Sequence, residues 1–545
     1  MSKGLSKTGG VSIEKNHRGG ISPQGKRPLC LSLHNSIFLV LLSGILLTFA
    51  FPRYNLELLA WLAFVPLFFA IKGKRPAMAF LLSYLCGVVF WLLTVYWFIR
   101  VTFLGLVLMI LYLAIYFGIF GLIFSIYELG AGGYELIFLP CAWVLLEYLR
   151  SYLLTGFGWV LLGYSQYLTL PIIQIADITG AWGVSFLIMA VNLAIFNIID
   201  KRKSLTPHCY LLAAIVLVLT LGYGYYKLYG VQSTEDRVPV RISVIQGNIP
   251  QELKWQENSQ SFILERYISL SREALKDKPD LIIWPEASSP GFLGVDDWIF
   301  ENIFGLVKSL NTKLLLGTVI VDGGSYFNSS ILLDGGGKIA GRYDKIHLVP
   351  FGEYIPLRKF FAFLQTIVPI GDFSAGKEYT VFSLDLQLTP PPEARHIQAA
   401  ETGASRKFSV LICFEDMFPE LSRKFVKRGA DFLVNITNDA WFGKTSSPYQ
   451  HLSASVLRAV ENRVFLARAA NTGFSGFISP KGEIISAVSD SKGEETFISG
   501  YKTLEIFSKK KGRLTFYSRW GDVSVFLMCL FMLYGIMFSK RRVHG

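Results

Sequence analysis

The chain has 545 residues, 52% of them hydrophobic and 14% aromatic, and a formal charge of +13. That length exceeds one ordinary core and that apolarity exceeds the composition of soluble domains, which excludes a single water-soluble domain. The excess Lys and Arg cluster beside apolar runs and form no basic stripe interleaved with aromatics, so membrane topology explains them and a nucleic-acid partner is not expected.

Residues 1–35 form a basic segment with Lys3, Lys7, Lys15, Arg18, Lys26 and Arg27. Apolar runs follow at Ser36 to Phe51, Leu56 to Ile71, Ala77 to Ile99, Val101 to Tyr127, Leu136 to Leu154, Trp182 to Ile199 and Tyr210 to Tyr226. A last run covers Val523 to Phe538. Each approaches the ~20 residues that cross ~30 Å of hydrocarbon. The expected layout is a seven-span bundle over 36–230 and an eighth span over 520–539. No small-residue cleavage site follows the first run, so it reads as retained. Lys72, Lys74 and Arg75, then Lys201, Arg202 and Lys203, then Lys540, Arg541 and Arg542, all fall on the side of the N-terminal cluster when crossings are counted. Basic loops stay cytoplasmic, which puts the long interval 231–510 outside.

Within that interval the pattern changes to short strands, helices and Gly-rich turns, as in an α/β domain. Val240 to Ile245 alternates as a strand, and Ile263, Tyr267, Leu270 and Ala274 recur at helical spacing. A strand at Leu281 to Trp284, a helix at Trp298 to Leu310 and a strand at Leu314 to Val321 follow. Gly335 to Gly337 then turns Ser329 to Leu333 back into Lys338 to Ala340. Thr389 to Pro392 reads as a surface insertion. Beyond it come a strand from Phe408 into Cys413, a helix over Phe418 to Lys427 and a strand over Asp431 to Thr437. A long helix over His451 to Ala470 and a closing strand pair, Gly473 to Ser479 with Glu483 to Val488, complete the reading.

Cys413 is the only cysteine in this interval, because Cys30, Cys86, Cys141, Cys209 and Cys529 all lie in or beside the apolar runs. An unpaired thiol in an oxidising compartment is a liability unless it is buried or used. A nucleophilic thiol near neutrality needs activation, and two sources of positive charge are expected: the N-terminus of the helix after Cys413, and the Lys345 ammonium. Glu286, after a strand that Pro285 terminates, can act as a general base. Taken singly, Cys413 reads as a core thiol, Glu286 as a cap and Lys345 as a solvated charge; three complementary groups after three strand-like segments make a candidate site. His347 and His451 are isolated and show no ligand spacing, so neither a metal nor another cofactor is expected.

Trp284-Pro-Glu286, Asp344-Lys345-Ile-His-Leu-Val-Pro-Phe-Gly-Glu353 and Cys413-Phe-Glu415 resemble the Glu-Lys-Cys triad motifs of the nitrilase (carbon-nitrogen hydrolase) superfamily. With spans on both sides of the domain, the chain resembles the bacterial apolipoprotein N-acyltransferases. Gln246-Gly-Asn248 through Trp255, and Asn438-Asp-Ala-Trp-Phe-Gly443, are similar to further motifs of that family.

The resemblance implies an αββα sandwich attached to a helical membrane bundle, in a multi-pass protein of the inner membrane with its catalytic domain on the periplasmic side. It implies Glu286 as base, Lys345 as the oxyanion partner, Cys413 as the acyl carrier and Glu353 as a supporting acid. Trp255, Glu415 and Trp441 match positions around the family's active site, and Phe414 stands where its better-known members carry tyrosine. The implied donor is a phospholipid and the implied acceptor a diacylglyceryl apolipoprotein. Glu147, Arg150 and Asp177 near membrane boundaries read as structural pairs, and Phe360, Phe361 and Phe363 as a lid or a core helix. A membrane-tethered amidase using the same triad is the alternative; seven spans before the domain favour substrates that reside in the membrane.

Overall fold

A computed structural model describes residues 31–129, 135–200, 207–230, 239–354, 373–385, 405–507 and 514–543. The expected lid residues Phe360, Phe361 and Phe363 and the Thr389 to Pro392 insertion lie outside the described residues.

Among the described residues, four helices are long and apolar enough to cross a membrane: Pro76–Thr94, Phe103–Tyr127, Glu135–Thr155 and Ala181–Ile199. Five further apolar helices are shorter: Leu33–Phe49, Glu57–Ile71, Leu170–Thr179, Ala213–Tyr229 and Val523–Tyr534. The run Leu56 to Ile71 is not one continuous α-helix. A 3₁₀ turn occupies Glu57–Trp61 and an α-helix restarts at Val65. Pro66 in its first turn has no N–H to donate backwards, so it starts a helix but cannot continue one. The apolar pattern does not single out Leu170–Thr179. Close helix contact depends on missing side chains: a Cβ on Gly121 would lie 2.6 Å from the Ala79 carbonyl oxygen and 2.1 Å from Ser83 Oγ, a spacing that only glycine tolerates.

The remainder is a two-sheet sandwich. Its strands are β1 (Pro239–Gln246), β2 (Leu281–Ile283), β3 (Phe292–Leu293), β4 (Lys313–Asp322), β5 (Ser325–Leu333), β6 (Ile339–Asp344), β7 (Phe382–Asp385), β8 (Ser405–Ile412), β9 (Phe432–Thr437), β10 (Leu466–Ala470), β11 (Gly476–Ile478), β12 (Ile484–Ala487) and β13 (Gly500–Phe507). One sheet runs β13-β1-β2-β4-β5-β6 with β3 on β4; the other runs β12-β11-β10-β9-β8-β7. In each sheet three central strands are parallel, β1, β2 and β4 in the first and β8, β9 and β10 in the second. Parallel strands are covered on both faces, and β9 and β10 are accordingly buried at every residue. The sheets meet through β1 against β10 and β5 against β8, while the helix Gln260–Ala274 packs on the first sheet and Pro419–Lys427 and Ser447–Asn462 pack on the second.

Within the sandwich, one expected helix turns into a strand partway along. The long helix expected over His451 to Ala470 ends at Asn462, Arg463 turns left-handed at φ 52°, and Leu466–Ala470 is strand β10. Leu466, Ala467 and Ala469 suit either state locally; the parallel ladder with β9 decides for the strand.

The apolar helical part and the sandwich are joined by buried polar contacts. Gln450 Oε1 accepts the indole N–H of Trp97 and of Trp159, both at 3.0 Å, and Gln450 Nε2 donates to the Thr94 carbonyl at 3.0 Å. Asp177 pairs with Lys227 at 3.3 Å and with Arg463 of the sandwich at 2.9 Å. Glu147 accepts the Leu162 N–H at 2.7 Å, and Arg150 donates to the carbonyls of Phe157 and Trp159. These three ionisable residues thus make structural contacts.

Candidate active site

The site forms where chain ends leave the sandwich. Glu286 lies three residues past β2, Lys345 follows β6 and Cys413 follows β8. Each ladder fixes the last strand residue, so the next side chains project from a rigid edge. Gly317 of β4 lets the Glu286 turn close down: its N–H donates to the Pro285 carbonyl at 3.2 Å and its carbonyl accepts from Ser288 at 2.8 Å.

Lys345 Nζ lies 3.3 Å from Glu286 Oε1 and 2.9 Å from Glu353 Oε1. Asn328 Nδ2 bridges the same two oxygens at 2.8 and 2.6 Å. The Asn438 N–H holds Glu286 Oε2 at 2.9 Å, and the Val349 N–H holds Glu353 Oε2 at 2.7 Å. Burial alone would lower the Lys345 pKa, but Glu353 and Glu286 outweigh it and raise the pKa, so the ammonium stays charged. The ammonium also sits 5.5 Å from the centroid of the Phe414 ring.

Cys413 has φ 56°, in the left-handed region that a residue with a Cβ seldom occupies. Its carbonyl is held by Asn435 Nδ2 at 2.9 Å and by His451 Nε2 at 3.2 Å. Its thiol pKa is raised well above the usual value, first by burial and then by Glu286; Lys345 opposes this. Activation by a helix N-terminus, expected from the sequence, is not what the fold provides. The chain after Cys413 makes a single 3₁₀ turn, Cys413–Met417, and the α-helix begins only at Pro419, so no helix dipole reaches the sulfur. These influences together favour the neutral thiol at rest.

Glu415 ties the Lys345 and Cys413 loops together. Its carboxylate accepts the N–H of Ile346 at 2.8 Å, His347 at 3.1 Å and Ile412 at 2.8 Å, and the Tyr343 hydroxyl at 2.9 Å. Burial pushes its pKa up to about 7 against those donors. Phe414 packs edge-on against Phe418 at 5.3 Å. Trp255 and Trp441 are exposed, and the Trp255 ring lies tilted against Phe292 at 5.6 Å between centroids.

Sequence reasoning missed Asn328, Lys254 and the buried network behind Cys413. There His451 bridges Asp416 at 2.9 Å and Asp439 at 3.1 Å, and Arg468 reaches the same carboxylates at 3.2 and 3.4 Å. A charged side chain inside an apolar strand, as Arg468 is within Leu466 to Ala470, is the signal that could have exposed it. Among the described residues no group of three or more His, Cys, Asp or Glu is arranged to hold a metal ion.

Sheets of this topology with a thiol, a lysine and two carboxylates at their edge define a nitrilase-superfamily domain, and the family model described as carbon-nitrogen hydrolase matches residues 241–501. A second family model, described as the apolipoprotein N-acyltransferase N-terminal domain, matches residues 43–194. A protein of Geobacter metallireducens named apolipoprotein N-acyltransferase is 40% identical over 507 residues, which cover 89% of this chain and 91% of the relative. Relatives of the same name from Methylococcus capsulatus and Haemophilus influenzae are 31% and 30% identical, covering 93% and 92% of this chain and 96% and 95% of their own. The chain belongs to the apolipoprotein N-acyltransferase family.

Proposed function

We propose that the protein moves an acyl chain from a membrane phospholipid, through a thioester on Cys413, to the α-amine of a diacylglyceryl-cysteine at the N-terminus of an apolipoprotein. The observation that carries this reading is the buried Glu286–Lys345–Glu353 cluster beside a neutral, strained Cys413, on a domain joined to apolar helices. Glu286 takes the thiol proton as Sγ attacks the ester carbonyl carbon. The negative oxygen is received by Lys345 and the Phe414 main-chain N–H, a contribution of about 3 kcal/mol for one such donor. Glu286 then passes its proton to the departing lysophospholipid oxygen. In the second half the amine attacks the thioester and the thiol reforms, as in ping-pong covalent catalysis. Glu353 and Glu415 hold the frame; Trp255 and Trp441, both exposed, contact substrate.

The arrangement in the membrane is part of the proposal: seven crossings over 36–230, one over 520–539, and the catalytic domain, 231–510, on the periplasmic side of a bacterial inner membrane. The four basic clusters on one side support it, as do outward-facing apolar residues on the helices, including Leu104, Leu108, Val218 and Leu219. Both substrates carry chains that leave the bilayer at a cost of about 0.8 kcal/mol per CH₂, so the enzyme works where they lie.

The test is mass analysis of the Cys413 peptide after purified protein meets phospholipid alone. One acyl group is expected on Cys413, lost to an added diacylglyceryl lipopeptide and absent in Cys413→Ala. No adduct in the wild type, or ammonia release from small amides without acyl transfer, would overturn the reading.

A further inference from the structure

The site holds two buried lysines in opposite electrostatic circumstances. Lys345, 1% exposed, touches two carboxylates. Lys254, 2% exposed, touches none among the described residues. The single hydrogen bond of its Nζ among those residues runs to the main-chain carbonyl of Glu286, at 3.1 Å. The Glu286 carboxylate is not open to it: Oε1 is occupied by Asn328 and Lys345, and Oε2 by the Asn438 N–H. Asn438 is fastened in turn to Gln251, three residues before Lys254, by Nδ2 donating to Oε1 at 2.8 Å. Lys254 is thus fixed against the catalytic carboxylate's own backbone without an ion pair.

A buried amine without a counter-ion favours its neutral form. Burial lowers the Lys254 pKa to about 8; Glu286 and Cys413, the titratable groups acting on it, pull the other way. This is the range in which a lysine serves as a proton acceptor at physiological pH.

The second half of the proposed reaction has an unmet need for such a group. An α-amine with a pKa of about 8 arrives largely as the ammonium, which has no lone pair to attack with. Glu286 is the base for the one proton exchanged with sulfur, and Lys345 is held charged. We propose that Lys254 is the base that deprotonates the incoming α-ammonium of the acceptor. This assignment rests on the acyl-transfer reading above. The ammonium gives one proton to Lys254 Nζ and its freed lone pair attacks the thioester carbonyl carbon. The tetrahedral adduct loses a second nitrogen proton to Glu286, which delivers it to Cys413 Sγ as the C–S bond breaks and the amide forms. Lys254 then releases its proton to water. Trp255, the exposed neighbour of Lys254, marks where the acceptor enters.

The experiment compares two acceptors on isolated acyl-enzyme in single turnover: the diacylglyceryl lipopeptide, and hydroxylamine, whose nitrogen is already unprotonated at neutral pH. The readout is the ratio of their deacylation rates, which is independent of the fraction of active protein. Lys254→Met removes the base, and Lys254→Gln keeps a donor toward the Glu286 carbonyl without basicity. In both variants the ratio is expected to fall up to about 10-fold from wild type at pH 7, the limit set by the roughly one-tenth of an amine of pKa about 8 that is already neutral there, with hydroxylamine still discharging Cys413 at near the wild-type rate. An unchanged ratio, or equal slowing with both acceptors, overturns the assignment in favour of a purely structural lysine. Failure of the wild type itself to load Cys413 from phospholipid would instead remove the underlying acyl-transfer reading.

Discussion

Gly317→Ala should cripple the enzyme without touching any group that takes part in chemistry. An alanine Cβ at this position would stand 2.6 Å from Glu286 Cα, 2.6 Å from the Pro285 carbonyl oxygen and 2.8 Å from the Ala287 nitrogen. Carbon contacts are relaxed only at about 3.5–4.0 Å, so the turn must retreat by about 1 Å. All the obstructing atoms are backbone, and the turn is pinned to β4 by the hydrogen bonds of Gly317 itself, so no side chain can swing aside. The retreat carries Glu286 away from Lys345, already at 3.3 Å, and from the Asn438 N–H. Overpacking of this kind costs about 1–3 kcal/mol, and a misplacement of about 1 Å costs about 100-fold in rate. Initial rates of acyl transfer and the thermal midpoint in detergent provide the assay. Gly305→Ala is the control: this glycine lies within the helix Asp297–Leu310, and a methyl group added there would meet nothing within 4 Å, so alanine should leave the rate unchanged and raise stability by about 0.5–1 kcal/mol. A Gly317→Ala enzyme within about threefold of wild type, a small fraction of the rate loss expected from such a displacement, with an unchanged midpoint, would refute the claim that this close approach positions Glu286.

Burial and Arg468 lower the His451 pKa, but Asp416 and Asp439 outweigh them and raise it. The stabilisation this brings is full below the unfolded value of about 6.5 and is lost as pH rises through the higher folded value. The difference in thermal midpoint between wild type and His451→Asn should therefore narrow as the solution is made alkaline, and a gap constant with pH would contradict the charge assignment. Gln450→Ala strips the indole N–H groups of Trp97 and Trp159 of their shared acceptor. At about 1–3 kcal/mol for each buried orphan donor, the thermal midpoint should drop by several degrees while the isolated thiol chemistry of Cys413 persists; a midpoint equal to wild type would show that the two halves are not joined through this side chain.

The apolar runs are legible because spanning hydrocarbon demands composition more than arrangement, and Ala77 to Ile99, Val101 to Tyr127, Leu136 to Leu154 and Trp182 to Ile199 all coincide with long apolar helices. The break inside Leu56 to Ile71 is written in Pro66 but outweighed by the apolarity around it. In the sandwich, β1, β4, β8 and β9 can be read from their own residues, whereas β10 reads locally as helix because its choice rests on a ladder with β9 more than thirty positions away. Glu286, Lys345 and Cys413 stand out because each follows a strand-like run, and a strand end is a local signal.

What the sequence determined by itself is the inventory: which segments are apolar enough for a bilayer, which alternate as strands, and which ionisable groups stand at their ends. Protonation and pairing were decided by the tertiary structure. Lys254 and Lys345 are the same residue type, both buried, yet one is held charged by two carboxylates and the other is left without a counter-ion among the described residues. Cys413 rests as a thiol because burial and a neighbouring carboxylate prevail over the lysine facing it. Such balances depend on distances between groups far apart along the chain and on how much water folding removes from around them, and neither quantity exists until the sheets have closed.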